Sequence, residues 1–166
     1  MSIFENSVMI KSKRSPTNLV LIVLMFVGIV VFSVLAVLLF EPLLFFAAFG
    51  AAAGAFALLK YGDLEHEYIW IEGQLDIDRI YGKSRRKNMA RIDAEELLLI
   101  APEGSGELTH YEQEASKRLN CSSRIPQNKK YKVAYNSSRG ITVVTFEPDQ
   151  NLLDLIRVRN GRKVIV

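Results

Sequence analysis

Leu19-Val-Leu-Ile-Val-Leu-Met-Phe-Val-Gly-Ile-Val-Val-Phe-Ser-Val-Leu-Ala-Val-Leu-Leu-Phe40 runs for 22 residues without a charge. As a helix it spans about 33 Å, enough to cross a bilayer. Only Gly28 and Ser33 interrupt its aliphatic and aromatic character, and it has no polar stripe to turn toward water. A soluble core would have to enclose such a helix on every side, and the rest of this chain is too short for that. A cleaved leader has an apolar run of about 7–15 residues, whereas this one is longer and continues almost at once into another.

Working outward, Glu41-Pro42 breaks the run, because proline disfavours helix at the residue before it and is suited to opening a new one. Leu43 to Leu59 is then a second apolar stretch of 17 residues, followed by Lys60 to snorkel and Tyr61 to anchor at the interface. The pattern predicts a transmembrane helical hairpin over residues 17–60, with helices at about 19–40 and 43–59. Gly50 and Gly54, with Ala47, Ala51 and Ala55, form a small-residue face where another helix backbone can approach closely. Its expected partner is the first helix, with a homodimer seam as the second use.

The basic residues Lys11, Lys13 and Arg14 precede the first helix and Lys60 follows the second, while the intervening turn has only Glu41. The positive-inside bias therefore predicts a multi-pass protein of the cell membrane with both termini cytoplasmic. Residues 1–16 form a basic segment. In it Ile3, Phe4, Val8 and Met9 recur at roughly helical spacing, giving an interfacial helix or a frayed tail.

Beyond Gly62 the pattern changes to alternation, the mark of strands with one wet face, and residues 64–166 are expected to form a cytoplasmic β-rich domain. Glu67-Tyr-Ile-Trp-Ile-Glu72 and Leu75 to Tyr81 read as a hairpin across Gly73-Gln74, with Leu75, Ile77 and Tyr81 inward, Trp70 in the core, and Asp76 and Asp78 on a solvated face. Strands follow at about Arg86–Ile92 and Glu96–Ile100, the latter also readable as helix. Residues 103–130 decay into a long connection with a short helix near Glu112 to Leu119. Tyr131–Asn136 and Ile141–Glu147 then pair across Ser137-Ser-Arg-Gly140. Leu152, Leu153 and Ile156 give a final helix one apolar stripe, and Glu147 and Asp149 stand where its dipole favours negative charge. The fold class is α+β: the hairpin, then a small antiparallel sheet or partly open barrel of PH-like form, closed by a C-terminal helix.

The layout resembles a family of small bacterial membrane proteins of unassigned activity, with a basic N-terminal segment, a transmembrane hairpin and a β-rich tail. The likeness is carried by Glu67-Tyr-Ile-Trp-Ile-Glu-Gly-Gln-Leu-Asp-Ile-Asp78, Lys83-Ser-Arg-Arg-Lys87, Ile100-Ala-Pro102, Phe146-Glu-Pro-Asp149 and Arg162-Lys-Val164, in that order. It implies an architecture and brings no catalytic residue.

Net charge is only +3, too weak for a nucleic-acid binder. The densest charge is Lys83, Arg85, Arg86, Lys87 and Arg91, five cations within nine residues. Below a bilayer such a run meets the negative potential of the cytoplasmic leaflet, so these five are the candidate lipid-binding residues. The plainer alternative is a solvated hairpin. His66 and His110 are the only histidines, neither belongs to a run with zinc spacing, and no cofactor is implied. Cys121 with His110 lacks an activating setting for a nucleophile. No catalytic residue is expected, and the chain is read as a non-enzymatic membrane-anchored interaction module. Its expected partners are the bilayer, anionic lipid or a membrane protein, and the alternative is an accessory subunit docking through the small-residue face.

Overall fold

Residues 6–12 and 16–166 are described by a computed structural model. Ile3, Phe4, Lys13 and Arg14 lie outside the described residues, as does the side chain of Tyr61. The chain divides into two units, one within Lys13–Leu64 and one made of the segment up to Ser12 together with Glu65–Val166.

The first unit is a pair of helices, α1 (Pro16–Leu38) and α2 (Leu43–Tyr61), both long and apolar enough to cross a membrane. The helix bounds differ from the expected 19–40 and 43–59 because polar residues extend each outer end, while α1 stops before Phe40, which has a φ of 53°. Ile22, Met25, Ile29, Ser33 and Ala36 on α1, and Leu44, Ala48, Ala51, Ala55 and Leu58 on α2, are among the more covered side chains. Their spacing of three and four residues is that of a packed antiparallel seam. Outward residues such as Leu24, Val30, Phe46 and Phe49 are exposed apolar surface.

The second unit has two four-stranded sheets and no closed barrel among the described residues. The first sheet runs in the order β1 (Asn6–Ser12), β2 (Leu64–Ile71), β3 (Gln74–Tyr81), β4 (Arg85–Asp93). The second runs β5 (Leu97–Pro102), β7 (Tyr131–Ser137), β8 (Gly140–Phe146), β6 (Lys117–Asn120). The core lies between the sheets and α4 (Gln150–Asn160): Tyr68, Trp70, Leu75, Ile77 and Ile92 meet Ile100, Val133, Val144 and Phe146, with Leu152, Leu153 and Ile156 over them. Asp149 caps α4, its carboxylate accepting from Leu152 N at 2.8 Å, which satisfies an otherwise unpaired amide.

Several expectations are corrected. The segment over residues 6–12 is a strand, since Val8, Ile10 and Ser12 alternate inward while Ser7, Met9 and Lys11 are exposed. The first hairpin turns at Glu72-Gly73, one residue earlier than expected, with φ of 52° and 97° as a tight primed turn requires. A bulge follows: Ile77 pairs with Ala90 but Asp78 with Asn88, leaving Met89 over. Asp78 is buried and ion-paired rather than solvated, and Tyr81, at the end of β3, is half-buried and stands outside the core cluster. The sheet is not wholly antiparallel, because β6 pairs parallel to β8. Leu97–Pro102 is strand throughout. Within residues 103–130, α3 (Thr109–Glu114) precedes β6, where one short helix to Leu119 was expected.

The reason that 97–100 is ambiguous by pattern is that the second sheet is covered on both faces. Leu99, Ala101, Ala134 and Val143 form a second cluster against Leu108, Tyr111 and Ala115. Strands buried on both faces read as continuous apolar runs, which do not alternate.

Candidate functional site

The β3–β4 turn, Gly82-Lys83-Ser84, projects the basic run from the end of the first sheet, with φ of 54° and 59° at its first two residues. Strand alternation then separates the five cations. Arg86 and Asn88 fall on the outer face with Asp78, opposite the core. Arg86 pairs with Glu67, reaches Asp78 at 3.5 Å, and Asn88 donates to Asp78 at 2.8 Å. The bulge at Met89 resets the faces, so Ala90 and Ile92 enter the core while Arg91 turns out to meet Asp76 at 2.8 Å. Lys83, Arg85 and Lys87 are exposed and form no ion pair with any described residue. A shallow cavity of about 490 Å³ at this turn is lined by Met9, Glu65, Ile80, Lys83, Ser84 and Arg86.

Glu67 and Asp78 stand opposite each other when counted back from the Glu72-Gly73 turn, and both are under a tenth exposed. Like charges facing across a ladder repel, so Arg86 is the group that makes the pair tolerable. That role competes with lipid contact, as does the pairing of Arg91.

On the inner face the same count sets His66 opposite Arg79. Arg79 Nε donates to His66 Nε2 at 3.2 Å, and its Nη2 donates to the Asn120 carbonyl at 2.7 Å. Burial, then the positive charges of Arg79 and Arg124, push the His66 pKa down to about 4. Burial raises the Cys121 thiol, with Arg79 opposing. Cys121 belongs to the buried core, whereas His110 lies on α3 and meets Glu114 at 3.5 Å on the surface. A neutral imidazole whose Nε2 lone pair is occupied, beside a fully buried protonated thiol, offers a substrate neither base nor nucleophile.

A further polar network pins the 121–128 loop. Glu147 is buried and accepts from Ser123 N and Oγ, each at 2.9 Å, and from Asn128 Nδ2 at 2.9 Å. It serves this loop and not the dipole of α4. The Tyr68 hydroxyl donates to the Cys121 carbonyl at 2.5 Å, and Ser12 Oγ donates to the Ser123 carbonyl at 3.1 Å, so strands of the first sheet hold the same loop. Among the described residues no group of three or more His, Cys, Asp or Glu is placed to hold a metal ion.

The predicted helix-packing residues divide. Gly54 faces Met25 of α1, whose methyl would lie 3.1 Å from an added Cβ, and Ala51 and Ala55 share that side. Gly50 has open space beside it, and Ala47 is exposed.

Two sheets around one core, crossed by a C-terminal helix and preceded by an apolar helix pair, define a PH-like module. The chain belongs to the bacterial PH-like domain family DUF6106, whose family model matches residues 5–166. No curated protein and no solved structure matches it.

Proposed function

We propose that this protein is a membrane-anchored interaction module, its helices spanning the cell membrane as a hairpin and its PH-like domain held at the cytoplasmic surface. The observation that carries the reading is the first sheet. β1 precedes the helices and β2 follows them, yet both belong to one sheet. Strands of one sheet share one side of a membrane, so the intervening helices cross an even number of times. The basic flanks favour the cytoplasmic side.

Only residues 13–15 separate β1 from α1, and only Gly62 and Asp63 separate α2 from β2. The β3–β4 turn lies at the end of the sheet where β2 begins, the end at which the chain arrives from α2, and this supports Lys83, Arg85 and Lys87 as the residues that would meet lipid. Each cation near an anionic leaflet contributes about 1 kcal/mol. Arg86 and Arg91 serve mainly Glu67, Asp78 and Asp76 and are secondary.

Because the domain is assembled from both sides of the hairpin, the intact chain is the material for a test. In nanodiscs containing about a third anionic lipid, amide exchange over residues 82–88 is expected to slow relative to zwitterionic discs. The protection is lost in high salt and in a Lys83→Ser, Arg85→Ser, Lys87→Ser variant. Equal exchange in the two lipids removes headgroup contact from the reading.

A second reading, an accessory subunit of a larger membrane complex or a homodimer, rests on the open space at Gly50 and the exposure of Ala47. Small residues facing away from the partner helix leave room for another transmembrane helix.

A further inference from the structure

At the end of the first sheet opposite the basic turn, α4 carries more apolar surface than the core covers. Leu152, Leu153 and Ile156 are buried, but Leu155 is only partly covered and Val158 is 77% exposed, one helical turn further along. Leu155 and Val158 face Trp70 across a groove of about 470 Å³ that closes at the Glu72-Gly73 turn and Arg159. Gly73, whose φ of 97° favours glycine, lies against the Arg159 guanidinium, whose Nη1 donates to the Glu72 carbonyl at 2.9 Å.

The groove opens into a neighbouring depression of about 480 Å³ that shares Glu72, Gly73 and Arg159 and adds Asp93 and Glu95. Asp93 meets only the neutral amide of Gln74, at 2.6 Å, and Glu72 and Glu95 have no ion pair with any described residue. An apolar floor is thus bordered by three carboxylates with no ion pair to any described residue, while of the nearby cations Arg159 is engaged with the Glu72 carbonyl, Lys163 reaches the Ala94 carbonyl at 3.5 Å and Arg91 is held by Asp76.

We propose that this groove docks an extended segment of a partner protein in which aliphatic side chains alternate with Lys or Arg. The aliphatic groups enter between Trp70, Leu155 and Val158, where water is displaced from apolar surface. The cations lie over Glu72, Asp93 and Glu95, which gives the complementarity that selects this partner over acidic or purely polar ones. The surface shares no residue with the basic turn, so lipid contact and peptide docking can fail separately. A second copy is a poorer occupant, because its densest basic run, Lys83-Ser-Arg-Arg-Lys87, has no aliphatic residue to fill the groove.

The test uses the intact chain in zwitterionic nanodiscs and the emission of Trp70, the chain's one tryptophan. The probe is a capped heptapeptide, Lys-Val-Lys-Ile-Lys-Val-Lys, with its Glu-for-Lys and Ser-for-aliphatic counterparts and a peptide of residues 82–88 as controls. A saturable change with the first peptide alone is expected, weakened about tenfold or more by Glu72→Lys with Glu95→Lys, weakened by Val158→Asp, and weakened by salt in the unmutated protein. The salt arm reads the charge contribution even if a variant folds badly. No saturable change, equal binding of the Glu peptide, or binding undiminished in the double variant overturns the proposal. Equal binding of the 82–88 peptide overturns it in favour of a second copy.

Discussion

Arg86 illustrates how one side chain can look like a ligand contact in sequence and act as a structural tie in the fold. Its guanidinium is about half exposed, so its own Coulombic worth is screened, but Glu67 and Asp78 beneath it are 11% and 9% exposed at the side chain. Arg86→Ala leaves two covered carboxylates facing each other, and a loss of about 1–3 kcal/mol in unfolding free energy is expected. Adding Glu67→Gln should restore part of it, and denaturant titration followed by Trp70 emission measures both. His66 supplies a pH dependence. Its folded pKa, about 4, lies below the ordinary 6.5, so the unfolded chain takes up the proton first. Stability from this group is complete above pH 6.5 and falls by about 2–3 kcal/mol as pH drops toward 4. The charges that bear on it are Arg79 and Arg124, both cations, which add to the effect of burial. A His66→Gln variant should show a flatter profile, after subtraction of the carboxylate titration common to both proteins. An unchanged slope would mean that another group governs it.

At the scale of elements, the small residues of α2 serve two surfaces. Gly54→Leu drives a side chain into Met25 and should open or shift the seam with α1, lowering the thermal midpoint of the detergent-solubilised protein. At Gly50 an added Cβ meets nothing within 4 Å among the described residues, and Gly50→Leu should leave that midpoint nearly unchanged. Loss of a co-purifying protein or of self-association on Gly50→Leu alone would favour the subunit reading, and no effect would remove it. The two helices, the β2–β3 hairpin and α4 were legible because each shows an unbroken apolar run or a clean period. The facing of β3 with β4 was not legible, since a bulge of one residue, Met89 of β4, shifts the pairing beyond it by one. The turn was misplaced by one, and that slip alone hides the facing of His66 with Arg79. Leu97–Pro102 resists assignment by period because Leu108 and Tyr111 cover its second face. Lys117–Asn120 is too short and polar to announce a strand, and its partner β8 lies more than twenty residues away.

For the whole molecule, the decisive feature is that the PH-like domain is discontinuous. Residues 6–12, whose helical spacing suggests an interfacial helix or a tail, complete the sheet although the two apolar helices separate them in sequence from its other strands. Their alternation of Val8, Ile10 and Ser12 was present in the sequence but competed with a helical spacing borrowed from Ile3 and Phe4. The candidate lipid site was legible as a charge run. The partition into paired Arg86 and Arg91 and unpaired Lys83, Arg85 and Lys87 was not, because the partners come from other strands. The groove beside Trp70 was not legible either, since it needs the docking of α4 on the β2–β3 turn.

The most direct test of the account is thiol accessibility in intact cells, with Cys121→Ser as background and single cysteines placed by Ser7→Cys, Glu41→Cys and Ser84→Cys. A membrane-impermeant reagent is predicted to label the Glu41→Cys protein from outside, and the Ser7→Cys and Ser84→Cys proteins only after permeabilisation. Labelling of Ser7→Cys and Ser84→Cys from opposite sides would contradict the shared sheet and the hairpin together.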